Sequence, residues 1–153
     1  MGLEDTDLAG GVDVGVFQQG STTSDQSIVT GFQPSYVAFY GNMTQAALNT
    51  EYTSGANVGG GANGLSYCMG YSVGGAAADQ YVSSLGQNSN SSNAHVAYAG
   101  DGEVVYLIAT SNGGETIDGR ARASVTSFDQ DGFTLSWGST IPETTHILYQ
   151  AYR

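Results

Sequence analysis

The feature of this sequence that most constrains its fold is the regular alternation of short β-rich runs with turn signals. Runs rich in Val, Ile, Phe, Tyr and Thr are separated about every 10 to 15 residues by clusters of Gly, Asn, Asp or Ser, and no long segment has a helical period. This spacing is typical of antiparallel all-β proteins. The sequence therefore predicts a β-sandwich, jelly-roll-like in its strand arrangement.

The strands differ in how clearly the sequence marks them. VDVGVF at 12–17 alternates valines with other residues, which indicates a half-buried strand. SYVAFY at 35–40 is apolar on both faces, which is typical of a central strand or of a strand covered by a partner subunit. Asp-Gly at 101–102 lies between two β-rich runs and predicts a hairpin, and Asp-Gly at 131–132 predicts a turn into FTLSW.

The chain of 153 residues has the length of one domain. Residues 1–11 are polar and end in glycine, which indicates an N-terminal arm. We expect the β-sandwich domain to span 12–153, with a Gly-rich loop excursion at about 41–64 that includes a candidate short helix. The single cysteine, Cys68, excludes an internal disulfide, and its apolar neighbours indicate a core position.

The charge balance and the lack of a long apolar run argue against nucleic-acid binding and membrane insertion. Fourteen Asp and Glu stand against three arginines and no lysine, which gives a net charge of −11. Such a chain lacks the basic track that binds nucleic acid. No apolar run approaches the roughly 20 residues that span a bilayer, so we expect no membrane insertion. Repulsion within so acidic a surface weakens in concentrated salt, which predicts a protein from a highly saline environment.

One motif suggests an enzyme. GYSVG at 70–74 matches the Gly-x-Ser-x-Gly nucleophile elbow of serine hydrolases, with Ser72 as the nucleophile. The aspartates and histidines that follow it in the chain are Asp79, Asp101, Asp118, Asp129, Asp131, His95 and His146. An elbow of this kind requires a parallel sheet with crossover helices, whereas the sequence predicts hairpins. We therefore interpret GYSVG as a bend in a Gly-rich β-protein and expect no catalytic residues.

Metal binding has weak candidates only. Asp129 and Asp131, followed by Gly132, resemble the start of a calcium loop, but the next carboxylate is that of Glu143. The alternative is a turn in which the aspartates accept hydrogen bonds from backbone amides. His95 and His146 lack the spacing of a transition-metal site, so we expect no cofactor, with Ca²⁺ as the one alternative.

A pair of arginines leaves two interpretations open, and two short segments match a glycosylation pattern. Arg120 and Arg122 are two residues apart and lie on one face of a strand, where they either pair with local carboxylates or recognise an acidic sugar. Asn42 and Asn90 each begin a short N-glycosylation pattern, which is weak evidence by itself.

The tyrosines predict a surface for contacts. Tyr36 and Tyr40 share one face of a strand, and Tyr149 and Tyr152 lie on opposite faces of the last strand. Tyrosine suits subunit interfaces and also stacks on sugar rings. We take these four residues as candidates for a subunit interface, with a sugar-binding platform as the alternative.

A family resemblance gives the setting. The segment 121–152, ARASVTSFDQDGFTLSWGSTIPETTHILYQAY, together with SIVTGFQPSYVAFYG upstream, resembles a recurrent β-domain in structural proteins of tailed bacterial and archaeal viruses. The pattern is also similar to the H-type lectin domain, a small antiparallel sandwich that commonly forms trimers. The resemblance covers 12–152 loosely and the last 35 residues well, and its motifs concern turns and core positions.

The resemblance and the acidic composition together imply a virion structural protein of a haloarchaeal virus, assembled in the host cytoplasm and exposed to a high-salt medium. We expect a non-enzymatic homo-oligomer, with a trimer favoured, that decorates the capsid surface as a knob or turret and contacts the major capsid protein. The alternative is a tail-fibre or baseplate protein that binds glycans on the host surface. Decoration is favoured because the chain carries no coiled-coil or repeat shaft. A serine hydrolase is the remote third alternative.

Overall fold

The structure is a computed structural model that describes residues 11–43, 64–75, 79–88, 95–110, 117–141 and 145–153. These residues form ten strands in two antiparallel sheets that pack face to face, so the predicted all-β sandwich is confirmed. The strands are β1 Val12–Phe17, β2 Asp25–Val29, β3 Tyr36–Met43, β4 Gly64–Val73, β5 Gln80–Asn88, β6 His95–Asp101, β7 Val105–Thr110, β8 Ile117–Asp129, β9 Gly132–Ser139 and β10 Thr145–Tyr152.

Each sheet is built mostly from strands that follow one another in the chain. The six-stranded sheet has the order β1-β10-β3-β4-β5-β6, and the four-stranded sheet has the order β2-β9-β8-β7. The turn at 131–132 joins the paired strands β8 and β9, as predicted. Strand β10 lies between β1 and β3, so the last strand fixes the first one to the sheet.

The hairpin predicted at 101–102 is wrong. Strand β6 pairs with β5, whereas β7 pairs with β8, so Asp101 and Gly102 carry the chain from one sheet to the other. Gly102 has a φ of 74°, which suits a tight turn, and its N–H donates to the carbonyl of Gln80 at 2.9 Å. An Asp-Gly pair therefore specifies the turn but not which strands pair across it.

The core lies between the two sheets. Phe39 of β3 and Phe133 of β9 meet edge to face across it, with ring centroids 5.6 Å apart, and Tyr149 packs on Phe133 at 5.4 Å. Strand β7 is buried throughout most of its length because it lies beneath β4 and β5. Cys68 is a buried free thiol, as predicted, and burial raises its pKa.

The first strand forms where predicted, but its valines lie outside the core. Val12, Val14 and Val16 are about half exposed, while Asp13 and Phe17, on the other face of the strand, turn toward the interior. Alternation in the sequence fixes the period of a strand and leaves open which face is buried. Here the apolar set belongs to the outer surface of the six-stranded sheet.

The segment predicted as a loop excursion, 41–64, is partly strand. Strand β3 continues through Met43 and β4 begins at Gly64. The candidate short helix and most of that segment lie outside the described residues, as do residues 1–10 of the predicted N-terminal arm.

Candidate functional site: the outer face of the six-stranded sheet

The outer face of the six-stranded sheet is apolar and almost free of charge. Its described side chains are Val12, Val14, Val16, Tyr36, Ala38, Tyr40, Asn42, Tyr67, Met69, Tyr71, Val73, Tyr81, Ser83, Leu85, Ala97, Ala99, Asp101, His146, Leu148, Gln150 and Tyr152. Among these, Asp101 is the only carboxylate and no lysine or arginine occurs. In a chain of net charge −11, the strands of this face thus present a single carboxylate among the described side chains.

The outer face of the four-stranded sheet differs sharply. It carries Arg122, the hydroxyl groups of Ser27, Thr126 and Thr134, and the carboxylate of Asp25. Hydrogen bonds link these groups, such as the one between Ser27 Oγ and Thr134 Oγ1 at 3.2 Å. One surface of the sandwich is thus suited to water and the other to a covering partner.

Four tyrosines form a ladder across the apolar face, near one end of its strands. The ring centroids of Tyr152 and Tyr36 are 5.7 Å apart, those of Tyr36 and Tyr71 are 6.1 Å apart, and those of Tyr71 and Tyr81 are 5.3 Å apart. The ladder crosses β10, β3, β4 and β5 because cross-strand neighbours bring the rings together. Burial, and then the neighbouring tyrosines, raise the pKa of Tyr36.

A groove of about 610 Å³ runs beside this tyrosine ladder. Its floor consists of small residues and backbone: Ala38, Gly70, Ser83, Ala99 and Gly100. By the strand register, Tyr40 and Met69 lie one cross-strand row beyond Ala38 and Tyr71, and both line the groove. A raised row of rings therefore stands next to a trough of small side chains.

The four predicted interface tyrosines divide between the two sides of the sheet. Tyr36, Tyr40 and Tyr152 lie on the outer face, where Tyr40 is 38% exposed. Tyr149 lies on the inner face and is 6% exposed, so it belongs to the core and not to this surface. The alternation of strand β10 already separates Tyr149 from Tyr152.

Strand β4 contributes to this face in a way that the sequence did not predict. Its outward residues Tyr67, Met69, Tyr71 and Val73 alternate with inward residues that are all small: Ser66, Cys68, Gly70 and Ser72. The period of two was visible in the sequence, but large apolar side chains are expected to face the core. Large residues turn outward here because strand β7 lies close beneath β4 and leaves room for small residues only.

Gly70, the first glycine of GYSVG, shows this close approach most directly. A Cβ placed on Gly70 would lie 2.0 Å from the carbonyl oxygen of Val104, well inside van der Waals contact. Gly74, the second glycine of the motif, has a φ of 68° and ends the strand in a turn. Both glycines therefore have structural reasons to be in the sequence.

Ser72 lies in the core, on the opposite side of the six-stranded sheet from His146, one of its two candidate histidine partners. It is 0% exposed and faces the opposite sheet, while His146 lies on the outer face and contacts Gln18, with 3.2 Å between the two Nε2 atoms. Ser72 Oγ has no hydrogen-bond partner among the described residues. The side chains of His95 and Asp118 are outside the described set. Residues 70–72 continue strand β4 and pair with both β3 and β5, so the interpretation of GYSVG as a bend is wrong except at Gly74, where the turn begins.

The two aspartates at the β8–β9 turn have different hydrogen-bond partners. Asp129 accepts hydrogen bonds from Ser127 Oγ and Thr134 Oγ1, each at 2.8 Å, through its two carboxylate oxygens. The backbone carbonyl of Asp131 accepts from the N–H groups of Thr30 and Gly31 at 2.8 and 3.0 Å. Within the described ranges, no group of three or more His, Cys, Asp or Glu is arranged to hold a metal ion.

Arg122 pairs locally, which was the first of the two interpretations. Its guanidinium bonds Glu103, with 2.5 Å from Nε to Oε1, and lies 5.7 Å from the centroid of the Tyr106 ring. The bond to Glu103 raises the pKa of Arg122. Arg120 is exposed on the same strand.

Of the two glycosylation patterns, Asn42 is exposed on the outer face of β3, and Asn90 lies outside the described residues. Within the described ranges, no helix is long and apolar enough to cross a membrane.

Comparison of the chain with models of protein families, with curated proteins and with solved structures finds no match.

Proposed function

We propose that this chain is a non-catalytic structural protein of a virion, which decorates the capsid surface and assembles through the outer face of its six-stranded sheet. The observation that carries the proposal is the uncharged, tyrosine-rich character of that face in a strongly acidic chain. The resemblance of segment 121–152 to structural domains of tailed viruses supplies the setting.

The size of the face supports an assembly role. Six strands at the usual spacing and four rows of side chains give a surface of about 29 Å by 27 Å, on the order of 800 Å². Soluble monomers rarely expose an apolar patch larger than a few hundred Å², and a standard protein interface covers about 800 Å² on each partner. A face of these dimensions suits one complete protein interface.

The residue types support contact with protein. Tyrosine and methionine are enriched in interface cores, where charged residues are depleted. Tyr36, Tyr71 and Tyr81 supply rigid rings whose hydroxyl groups remain able to bond at the rim. Concentrated salt strengthens apolar association and screens the acidic remainder of the surface, so a high-salt medium favours this mode of assembly.

Tail-tip attachment to host glycans is the second candidate. The groove places tyrosine rings beside the carboxylate of Asp101, and a sugar can stack on such rings while its hydroxyls donate to a carboxylate. The present preference for capsid decoration rests on the breadth of the uncharged face, which extends well beyond a sugar-sized groove to Val12, Val14 and Val16.

The location of the chain in the particle tests this proposal. We expect a difference map between virions with and without the chain to show density on the outside of the capsid. Density confined to the tail tip, together with binding of the purified chain to intact host cells, would favour the alternative. Absence of the chain from purified virions would refute both.

A pair of matched variants tests the role of the face. Val73→Glu places a charge on the outer face of the six-stranded sheet, where Val73 is 45% exposed. Val29→Glu places the same charge on the four-stranded sheet, where Val29 is 70% exposed. We expect the first variant to lose incorporation into virions and the second to retain it. Equal incorporation of both would show that this face does not carry assembly.

A further inference from the structure

We propose that the occupant of the outer face is a second copy of this chain, related by a two-fold axis, with the tyrosine ladder of each copy seated in the groove of the other. This inference deepens the proposed function and rests on it for the assignment of the face. It specifies the partner and the symmetry, which the proposed function leaves open.

The shape of the face is self-complementary. The tyrosine ladder and the groove run side by side and share strands β3, β4 and β5, with Tyr71 and Tyr81 bordering the trough that Ala38, Ser83 and Ala99 line. A two-fold axis that lies in the interface, parallel to the ladder and midway between ladder and groove, places each ladder over the other copy's groove. Such an isologous contact closes on itself as a dimer.

The charge distribution also favours a second copy. Two chains of net charge −11 repel one another wherever their acidic surfaces meet. The outer face of the six-stranded sheet is the broad described surface that avoids this repulsion, because it presents one carboxylate, that of Asp101 on edge strand β6. Two copies joined through this face keep their remaining acidic residues in solvent.

The proposed axis makes a specific statement about Asp101. Rotation about an axis parallel to the ladder lays β6 of one copy against β6 of the other, so the two Asp101 carboxylates approach one another at the rim. Like charges at close range oppose association, and salt screens them. We therefore expect dimerisation to be weak at low salt and strong in molar salt.

The test is the mass of the purified chain by light scattering across a concentration series, first in molar sodium chloride. We expect twice 15.8 kDa. Tyr71→Ser removes the centre of the ladder, and Ser83→Trp fills the groove. Each change occurs twice in a symmetric dimer, and we expect each to weaken dimerisation by at least about thirtyfold. Val29→Glu on the opposite sheet is the control and should leave dimerisation unchanged.

Asp101→Asn supplies a variant in which the effect is a gain. Because it removes the paired carboxylates at the rim, we expect it to tighten the dimer at low salt and to have little effect in molar salt. This result does not depend on whether a tyrosine variant folds. Circular dichroism of Ser83→Trp checks that the groove-filling variant retains its β structure.

Other outcomes overturn the inference. A monomer in molar salt, a trimer, or a dimer that tolerates both Tyr71→Ser and Ser83→Trp would each refute it. A monomer that still binds capsid shells would leave the proposed function standing while the dimer fails. A dimer that responds to all the variants as expected but binds no capsid shells would support the dimer and refute the proposed decoration of the capsid. A monomer that binds sugar in the groove would identify a glycan as the occupant.

Discussion

Tyr149 donates its hydroxyl hydrogen to the carboxylate of Asp13, with 2.6 Å between Oη and Oδ2. The bond links the last strand to the first, and the ring lies across Gly15, where a Cβ would come within 2.6 Å of it. The absence of a side chain on Gly15 therefore lets a core tyrosine reach a carboxylate at the sheet edge. Burial, and then the bond to Asp13, raise the pKa of Tyr149 well above its usual value.

This raised pKa predicts a loss of stability in alkali. A tyrosine whose pKa is higher in the folded state gives its full stabilisation below its unfolded pKa of about 10, and the stabilisation falls as the pH rises above that value. We expect Tyr149→Phe to lower the free energy of unfolding by about 1.5–3 kcal/mol at neutral pH and to reduce its decline above about pH 10. Urea unfolding across this pH range measures both effects.

The control for this prediction is Tyr40→Phe, which removes an exposed hydroxyl from the outer face. We expect it to change stability at neutral pH by no more than about 0.5 kcal/mol. If Tyr149→Phe had the same small effect, the bond to Asp13 would contribute nothing measurable to folding.

GYSVG gives a second prediction, which separates packing from catalysis. Gly70→Ala forces a methyl group against the Val104 carbonyl oxygen, a backbone atom that moves only if the sheets separate, so we expect a loss of about 3 kcal/mol or more. Gly74→Ala requires a left-handed conformation at an open position and should cost about 1–2 kcal/mol.

Ser72→Ala should not lower the free energy of unfolding, unlike the two glycine substitutions. It removes a buried hydroxyl that has no partner among the described residues, so we expect a free energy of unfolding that is unchanged or higher by up to about 1 kcal/mol. Thermal unfolding of the three variants checks the order. Covalent labelling of Ser72 by a fluorophosphonate probe in the folded protein would show that Ser72 is a reactive nucleophile and would contradict a purely structural role.

The sequence allowed the strands to be predicted more reliably than the way they combine. Period-two alternation marked β1, and an aromatic and β-branched run that is apolar on both faces marked β3. The side of β1 that faces the core was not predictable, since Val12, Val14 and Val16 are as apolar as core residues. The pairing at 101–102 failed for a related reason: turn residues act locally, whereas sheet membership depends on contacts distant in sequence.

The candidate face was predictable in part. Tyr36 and Tyr40 indicated it, but the ladder requires Tyr71 and Tyr81, whose strands become neighbours of β3 only in the folded sheet. The strongest available signal was the alternation of large and small residues in β4. Its meaning depends on the close approach of β7, which no local pattern encodes.

Gln80 gives a third prediction, which concerns the attachment of the two sheets. This buried side chain on β5 donates through Nε2 to the carbonyl oxygen of Val125 at 2.5 Å and accepts from the N–H of Val125 at 2.7 Å. Its amide thus satisfies both backbone groups of a β8 residue beside a register shift in the β8–β9 pairing. We expect Gln80→Leu to cost about 2–5 kcal/mol, because two buried backbone groups lose their partners.

Urea unfolding measures this loss, with Gln26→Leu as the control. Gln26 also makes two hydrogen bonds, accepting from Trp137 Nε1 at 2.8 Å and donating to the carbonyl oxygen of Gln18 at 3.0 Å, but it is less buried than Gln80, so its replacement should cost less. Equal losses in the free energy of unfolding would mean that the buried hydrogen bonds to Val125 stabilise the fold no more than those of Gln26.

The charge of the chain gives the last prediction. With a net charge of −11 and no lysine, we expect the free energy of unfolding to rise between low and molar sodium chloride, because the Debye length falls from about 10 Å at 0.1 M to about 3 Å at 1 M. Salt also strengthens the apolar core, so screening must be separated from that effect. A variant with Asp25, Asp79 and Asp131 changed to Asn lowers the charge at three exposed positions. We expect it to be more stable than the parent at low salt and to gain less from added salt. Equal salt dependence in the two proteins, or no loss of stability on desalting, would mean that charge repulsion does not limit this fold.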